Sequence, residues 1–122
     1  MNKEKETGKW LPELDALVAA PQHHKLLFEN EAVRVLDTLI LPGEQTRVHT
    51  HQYPASLYII SWSDFIRYDP DGQVLADSKT MADSPEPGTA LWSGPLLPHA
   101  LKNTGENELH VISVEIKQPI TH

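Results

Sequence analysis

The chain has 122 residues, enough for one domain with a real hydrophobic core, and it contains no cysteine, which excludes disulfide bonds and thiolate chemistry. Its formal net charge is −7 and its Lys and Arg residues are scattered, so we expect no nucleic-acid partner, because phosphate binding needs clustered positive charge. Residues 1–10 lack the apolar segment of a secretory signal, and no apolar run approaches the roughly 20 residues that span a bilayer, so we expect a cytoplasmic protein without a membrane contact.

The first 22 residues are predicted to form an N-terminal unit beside the main domain. Residues 1–9 are polar and charged and are predicted to be a disordered or adaptable arm. Residues 12–20 are predicted to form one short helix, because Pro12 suits the first turn, acidic residues follow at the positive end of the helix dipole, and Pro21 ends it. Residues 23–122 are predicted to be a single domain, and the apolar face of the helix must dock on that domain or on a second subunit.

The hydrophobic period changes to two after this helix. Short β-branched and apolar runs separated by Pro- and Gly-rich turns favour an all-β fold whose sheets are closed or sandwiched. The sequence Asp69-Pro-Asp-Gly72 is predicted to be a hairpin turn. His23 and His24 precede the first predicted strand and are predicted to be surface residues. The predicted strands are residues 31–41, 46–51, 57–68, 73–76, 89–93 and 109–117.

A His-x-His pair, His49 and His51, lies on the second predicted strand. Side chains two residues apart on a strand point the same way and are about 7 Å apart at their Cα atoms, so both rings can reach one metal ion. A third histidine, His99, follows in a short segment between Gly88 and Asn103. The three histidines predict a shared metal site, although each of them is also compatible with an ordinary hydrogen-bonded histidine.

These residues resemble the two sequence motifs of the cupin family. The first motif places a glycine six residues before a His-x-His pair, as do Gly43, His49 and His51. The spacing of the second motif is matched by Gly88, His99 and Asn103. The resemblance implies a cupin double-stranded β-helix, a jelly-roll barrel, with the short N-terminal helix outside it.

The resemblance departs from the family pattern at one chemically important position. Ala55 or Ser56 stands where the first motif carries a metal-binding glutamate, so the implied ligands are three neutral imidazoles. Ser56 could contribute its hydroxyl or a water, although a small strand residue is the simpler interpretation. Residues 24–30 and 110–117 also resemble the short cupins of the beta-alanine degradation group.

Cupins with three histidine ligands include thiol dioxygenases and a diketone-cleaving dioxygenase. The resemblance therefore implies one divalent transition metal at His49, His51 and His99, with Fe(II) favoured and Zn, Mn or Ni as alternatives. The implied function is an oxidation or cleavage of a small organic molecule, which we expect to be anionic because three neutral ligands leave the charge of the metal uncompensated. The alternatives are a non-catalytic binding or sensing module, and an oxygen-independent isomerase or lyase.

Two further residues are candidate catalytic groups. His110 shares its strand parity with apolar residues and would lie near the metal if that parity faced inward, but it is also compatible with an ordinary strand histidine. Arg47 shares the parity of His49 and could bind a carboxylate, or it could extend into solvent. We also expect a homodimer, because the helix over residues 12–20 and a stripe formed by Tyr58, Trp62 and Ile66 offer surplus apolar surface.

Overall fold

The computed structural model describes residues 10–82 and 84–117, so the predicted arm over residues 1–9 lies outside the described residues. The predicted N-terminal helix is present but divided, because Pro12–Leu14 form a 3₁₀ turn and Ala16–Ala19 form the helix α1. Asp15 separates them with an extended backbone (φ −54°, ψ 143°), and its carboxylate accepts a hydrogen bond from the N–H of Leu17. Asp15 therefore caps α1 instead of continuing a single helix.

The described residues contain nine β-strands in two antiparallel sheets, which confirms the all-β prediction. One sheet has five strands in the order β1-β2-β9-β4-β7, and the other has four in the order β3-β8-β5-β6. The strands are β1 (His24–Glu29), β2 (Val33–Ile40), β3 (His49–His51), β4 (Ala55–Ser61), β5 (Phe65–Tyr68), β6 (Val74–Asp77), β7 (Ala90–Ser93), β8 (Leu96–Asn103) and β9 (Leu109–Ile116).

The predicted strand over residues 57–68 is two strands, β4 and β5, which belong to different sheets. A register shift between Ile59 and Ser61 changes which face the following residues occupy. Tyr58 therefore points outward and is 49% exposed, whereas Trp62 packs inward against the buried core. The predicted stripe of Tyr58, Trp62 and Ile66 does not form one surface.

The inner faces of the two sheets enclose the hydrophobic core. Leu36 and Ile59 are fully buried, and Ile40, Phe65 and Leu109 form a buried cluster beside them. No helix among the described residues is long and apolar enough to cross a membrane.

The outer face of the five-stranded sheet is also apolar. The strand registers place one residue of each strand in a continuous row that crosses the sheet in the order Phe28, Val35, Val114, Ser56 and Trp92. The two ends of this row remain open, since Phe28 is 53% exposed and Trp92 is 66% exposed. This outer row is therefore an apolar surface without a cover in the described chain.

Candidate metal centre

Four histidines meet between the two sheets. His49 and His51 come from β3, and His99 lies directly opposite His49 on β8. His24, the first residue of β1, completes the group, because one ring nitrogen from each of His24, His49 and His51 lies within 4.8 Å of the others. The ring centroid of His99 is 4.5 Å from that of His49 and 5.7 Å from that of His51. The ring nitrogens of His24, His49 and His51 thus form the compact group, and His99 adjoins it by the distance between ring centroids.

Each of the four rings is held through its Nδ1 atom. Three of the acceptors are backbone carbonyls two or four residues earlier in the chain. Because a carbonyl can only accept, Nδ1 carries the proton in these rings and Nε2 keeps the lone pair that a metal requires. The Nδ1–O distances are 2.9 Å from His24 to Ala20, 2.7 Å from His49 to Arg47 and 2.7 Å from His99 to Leu97.

The fourth ring is held by Glu115, a fully buried carboxylate on β9. One of its oxygens is 3.2 Å from Nδ1 of His51, and the other accepts a hydrogen bond of 2.9 Å from Nε of Arg34. Arg34 also donates to both oxygens of Asp15, at 2.8 and 3.1 Å. Although burial opposes its charge, these two carboxylates raise the pKa of Arg34 above its ordinary value. The network ties His51 to the N-terminal cap of α1.

Three of the imidazoles, those of His24, His49 and His99, are neutral at physiological pH. Burial, with further contributions from the neighbouring imidazoles, lowers the pKa of His49 to about 2, that of His24 to about 3 and that of His99 to about 4. A neutral imidazole with a free Nε2 is the form that binds a metal ion. The residues present therefore fit a transition-metal site.

A cavity of about 120 Å³ adjoins the four histidines. Its walls are mostly apolar, and they include Trp62, Phe65, Leu101, Leu109 and Val111. Apart from the histidines, its ionisable lining residues are Glu115, Arg67 and Tyr53. A small ligand in this space would contact apolar side chains and the histidine cluster together.

Comparison with solved structures decides the fold. A cupin domain from Bordetella pertussis superposes with a TM-score of 0.61 at 20% identity, over 78% of this chain and 92% of that one. A double-stranded β-helix protein of the RmlC-like cupin family from Methanocaldococcus jannaschii gives 0.53 at 16% identity, over 76% and 77%. The polyketide cyclase RemF from Streptomyces resistomycificus gives 0.51 at 15% identity, over 82% and 68%. The chain has the cupin fold.

No protein-family model and no curated protein matches this chain. The resemblance to the beta-alanine degradation group therefore stays a prediction. The fold itself, a cupin double-stranded β-helix with a short N-terminal helix, is confirmed.

Two of the predicted site residues lie away from the cupin cavity. His110 is on the outer face of β9, where its Nε2 is 2.8 Å from Asp37, because the inward parity of this strand belongs to Leu109, Val111, Ser113 and Glu115. Arg47 is exposed and does not line the cavity, since it precedes β3 in an irregular segment. Neither side chain therefore lies beside the histidine cluster, contrary to the prediction that they could be near the metal.

Of the two residues predicted to stand in place of the motif glutamate, Ala55 lines the cavity, whereas Ser56 points to the outer face between Val114 and Trp92. Ala55 is the direct cross-strand partner of Glu115. The cavity thus has a carboxylate one strand away from the motif position, but this carboxylate is bonded to His51 and Arg34. Sequence reasoning missed Glu115, because alternation groups it with Ser113 and Val111 but does not say that this parity faces the interior.

His24 was the other omission, because it was predicted to be a surface residue. It is only 5% exposed, since β1 begins at His24 and pairs with β2 opposite Thr38, whose side chain also lines the cavity. The only local signal is that His24 opens a run of strand-forming residues. Nothing in the cupin motifs points to it.

Proposed function

We propose that this protein binds one divalent transition metal, preferably Fe(II), through His24, His49, His51 and His99, and that it oxidises or cleaves a small organic anion with molecular oxygen. The observation that carries the proposal is the arrangement of the four rings, each held through Nδ1 with its Nε2 left free. Iron(II) held by these imidazoles would supply the redox chemistry for a reaction of the substrate with oxygen. The protein holds the ligands rigidly and surrounds the substrate with apolar walls that exclude water.

The preference for an anion follows from the charge of the ligands. Four neutral imidazoles do not compensate a divalent ion. Glu115 is the buried carboxylate beside them. It forms an ion pair with Arg34 and contacts Nδ1 of His51, so it is not free to compensate the metal. A carboxylate or enolate entering the cavity would therefore be attracted to the metal.

The position of His24 favours one alternative. Four histidines match in number the ligands of closed, structural zinc sites. In that case the metal would support the barrel, and the cavity would bind or sense a small molecule without a reaction. A second alternative is an isomerase or lyase, which would use the same metal site but would need no oxygen.

Untagged protein, loaded with Fe(II) or Zn(II), tests the proposal. We expect about one metal ion per chain by elemental analysis, and oxygen uptake by the Fe(II) form with one or more members of a panel of small dicarbonyl compounds, thiols and amino acids. The Zn(II) form and Fe(II)-treated His49→Ala protein are the controls and should consume no oxygen above background. Panel members that bind the Fe(II) form without oxygen uptake would favour the sensing module, and anaerobic turnover would favour the isomerase or lyase.

We also propose that the protein is a homodimer whose interface includes the outer row from Phe28 to Trp92. Trp92 is an exposed aromatic residue at one end of that row, so Trp92→Glu should weaken the dimer at least about 30-fold. Val74→Glu is the matched control, because Val74 is 58% exposed but lies on β6 of the other sheet. Light scattering across a concentration series measures both. A wild-type monomer at every accessible concentration would contradict the proposal.

A further inference from the structure

Arg67 carries a positive charge into the cavity, where none of the described residues pairs with it. Its side chain comes from β5, lines the cavity and is half-buried. Its Nε atom is buried and has no hydrogen-bond partner. Across residues 10–82 and 84–117, the guanidinium forms no hydrogen bond or ion pair, and its contact with Phe65 is a cation–π approach of 5.9 Å to the ring centroid.

Arg34 is an arginine with a structural role in this fold, and it can be compared with Arg67. Arg34 is bonded to two carboxylates, Glu115 and Asp15, which compensate the cost of its burial. Arg67 has no such compensation, and burial lowers the pKa of its guanidinium below the ordinary value. A desolvated donor that is left unbonded costs free energy, so it is a feature that a ligand would relieve.

Arg67 also lies close to the metal-binding histidines. Its strand partner is Leu101 on β8, two residues after His99. Both Arg67 and His99 line the same cavity. A small ligand can therefore contact the guanidinium and the metal site together.

We propose that Arg67 binds the carboxylate of the substrate and makes this cavity specific for small carboxylic acids with an apolar body. This inference rests on the proposed function only in treating the bound acid as a substrate. The binding of the acid itself does not require a metal. The fork of N–H donors in arginine matches the two oxygens of a carboxylate. The cavity of about 120 Å³ is similar in size to one of about 150 Å³ that holds benzene, so an acid of about that size fits it.

Butyrate and butyramide form a matched pair of probes, because they have nearly the same shape and differ in charge. NMR titration of metal-free protein at neutral pH is expected to show about tenfold tighter binding of butyrate. Arg67→Met should remove that preference by weakening butyrate alone, and Arg67→Lys should keep part of it. The matched control Arg47→Met removes an exposed arginine outside the cavity and should retain the full preference.

Thermal unfolding separates this role from a structural one. Arg67→Met removes an uncompensated cation, so it should unfold at the same temperature as the wild type or higher. A marked loss of stability, or equal binding of butyrate and butyramide by the wild type, would overturn the assignment. If the protein binds metal but shows no preference for butyrate, this inference alone is contradicted. If it shows an Arg67-dependent preference but binds no metal, the proposed function alone is contradicted.

Discussion

Replacing His49 with alanine is expected to weaken metal binding roughly a hundredfold or more, because it removes a fully oriented ligand from the middle of the cluster. The ring of His49 lies between those of His24 and His99, with centroid distances of 4.6 and 4.5 Å. Zinc affinity, measured by competition with a chelating dye, gives the result directly. Because the dye reports metal affinity, the measurement is independent of any reaction.

The same titration on His24→Ala tests the ligand that the cupin motifs do not contain. We expect a loss similar to that of His49→Ala, since the ring nitrogens of His24, His49 and His51 lie within 4.8 Å of one another. His110→Ala is the matched control, because it makes the same change on the outer face of β9 and should keep wild-type affinity. Unchanged affinity in His24→Ala would show that His24 is not a ligand. Unchanged affinity in His49→Ala would refute the site.

The second large effect concerns the buried ion pair behind His51. Arg34→Met should lower the free energy of unfolding by about 3–5 kcal/mol, because it leaves the fully buried Glu115 without its cationic partner. A loss of that size is a large part of the roughly 5–15 kcal/mol by which a domain is usually stable. Urea denaturation of metal-free protein measures it.

Lys117→Met is the matched control for this change. Lys117 forms a more exposed ion pair with Glu29 at 2.8 Å, which should contribute no more than about 1 kcal/mol. Equal stability losses in Arg34→Met and Lys117→Met would show that the buried network is unimportant. The double variant Arg34→Met with Glu115→Leu should recover part of the lost stability, because it removes the unpaired charge as well.

The proximity of His49 and His51 could be predicted from sequence because it is local, whereas His99 meets them through the pairing of β3 with β8 and was predicted from the resemblance to the second motif. His49 and His51 are two residues apart on one strand, and the spacing around His99 follows the second motif. The position of His24 depends instead on how β1 pairs with β2, including an irregularity between Leu26 and Phe28. Such a register is fixed by the packing of whole sheets, so a single sequence does not reveal it.

The prediction of which face of β9 points to the interior was wrong for a different reason. The prediction for His110 assumed that the more apolar parity of the strand faces inward. In the structure that parity covers the outer face, where Val114 joins the outer row, while the inner parity carries Ser113 and Glu115. Alternation identifies two faces but does not say which one is interior when both are largely apolar.

The Nδ1 acceptors described above also bear on how this centre can change through mutation. For His24, His49 and His99 the acceptor is a main-chain carbonyl, and every amino acid supplies one, so substitution at Ala20, Arg47 or Leu97 leaves the oxygen in place. His51 alone among the four depends on a side chain, that of Glu115. Natural drift or laboratory selection that adjusts ligand basicity without losing a ligand should therefore concentrate at position 115.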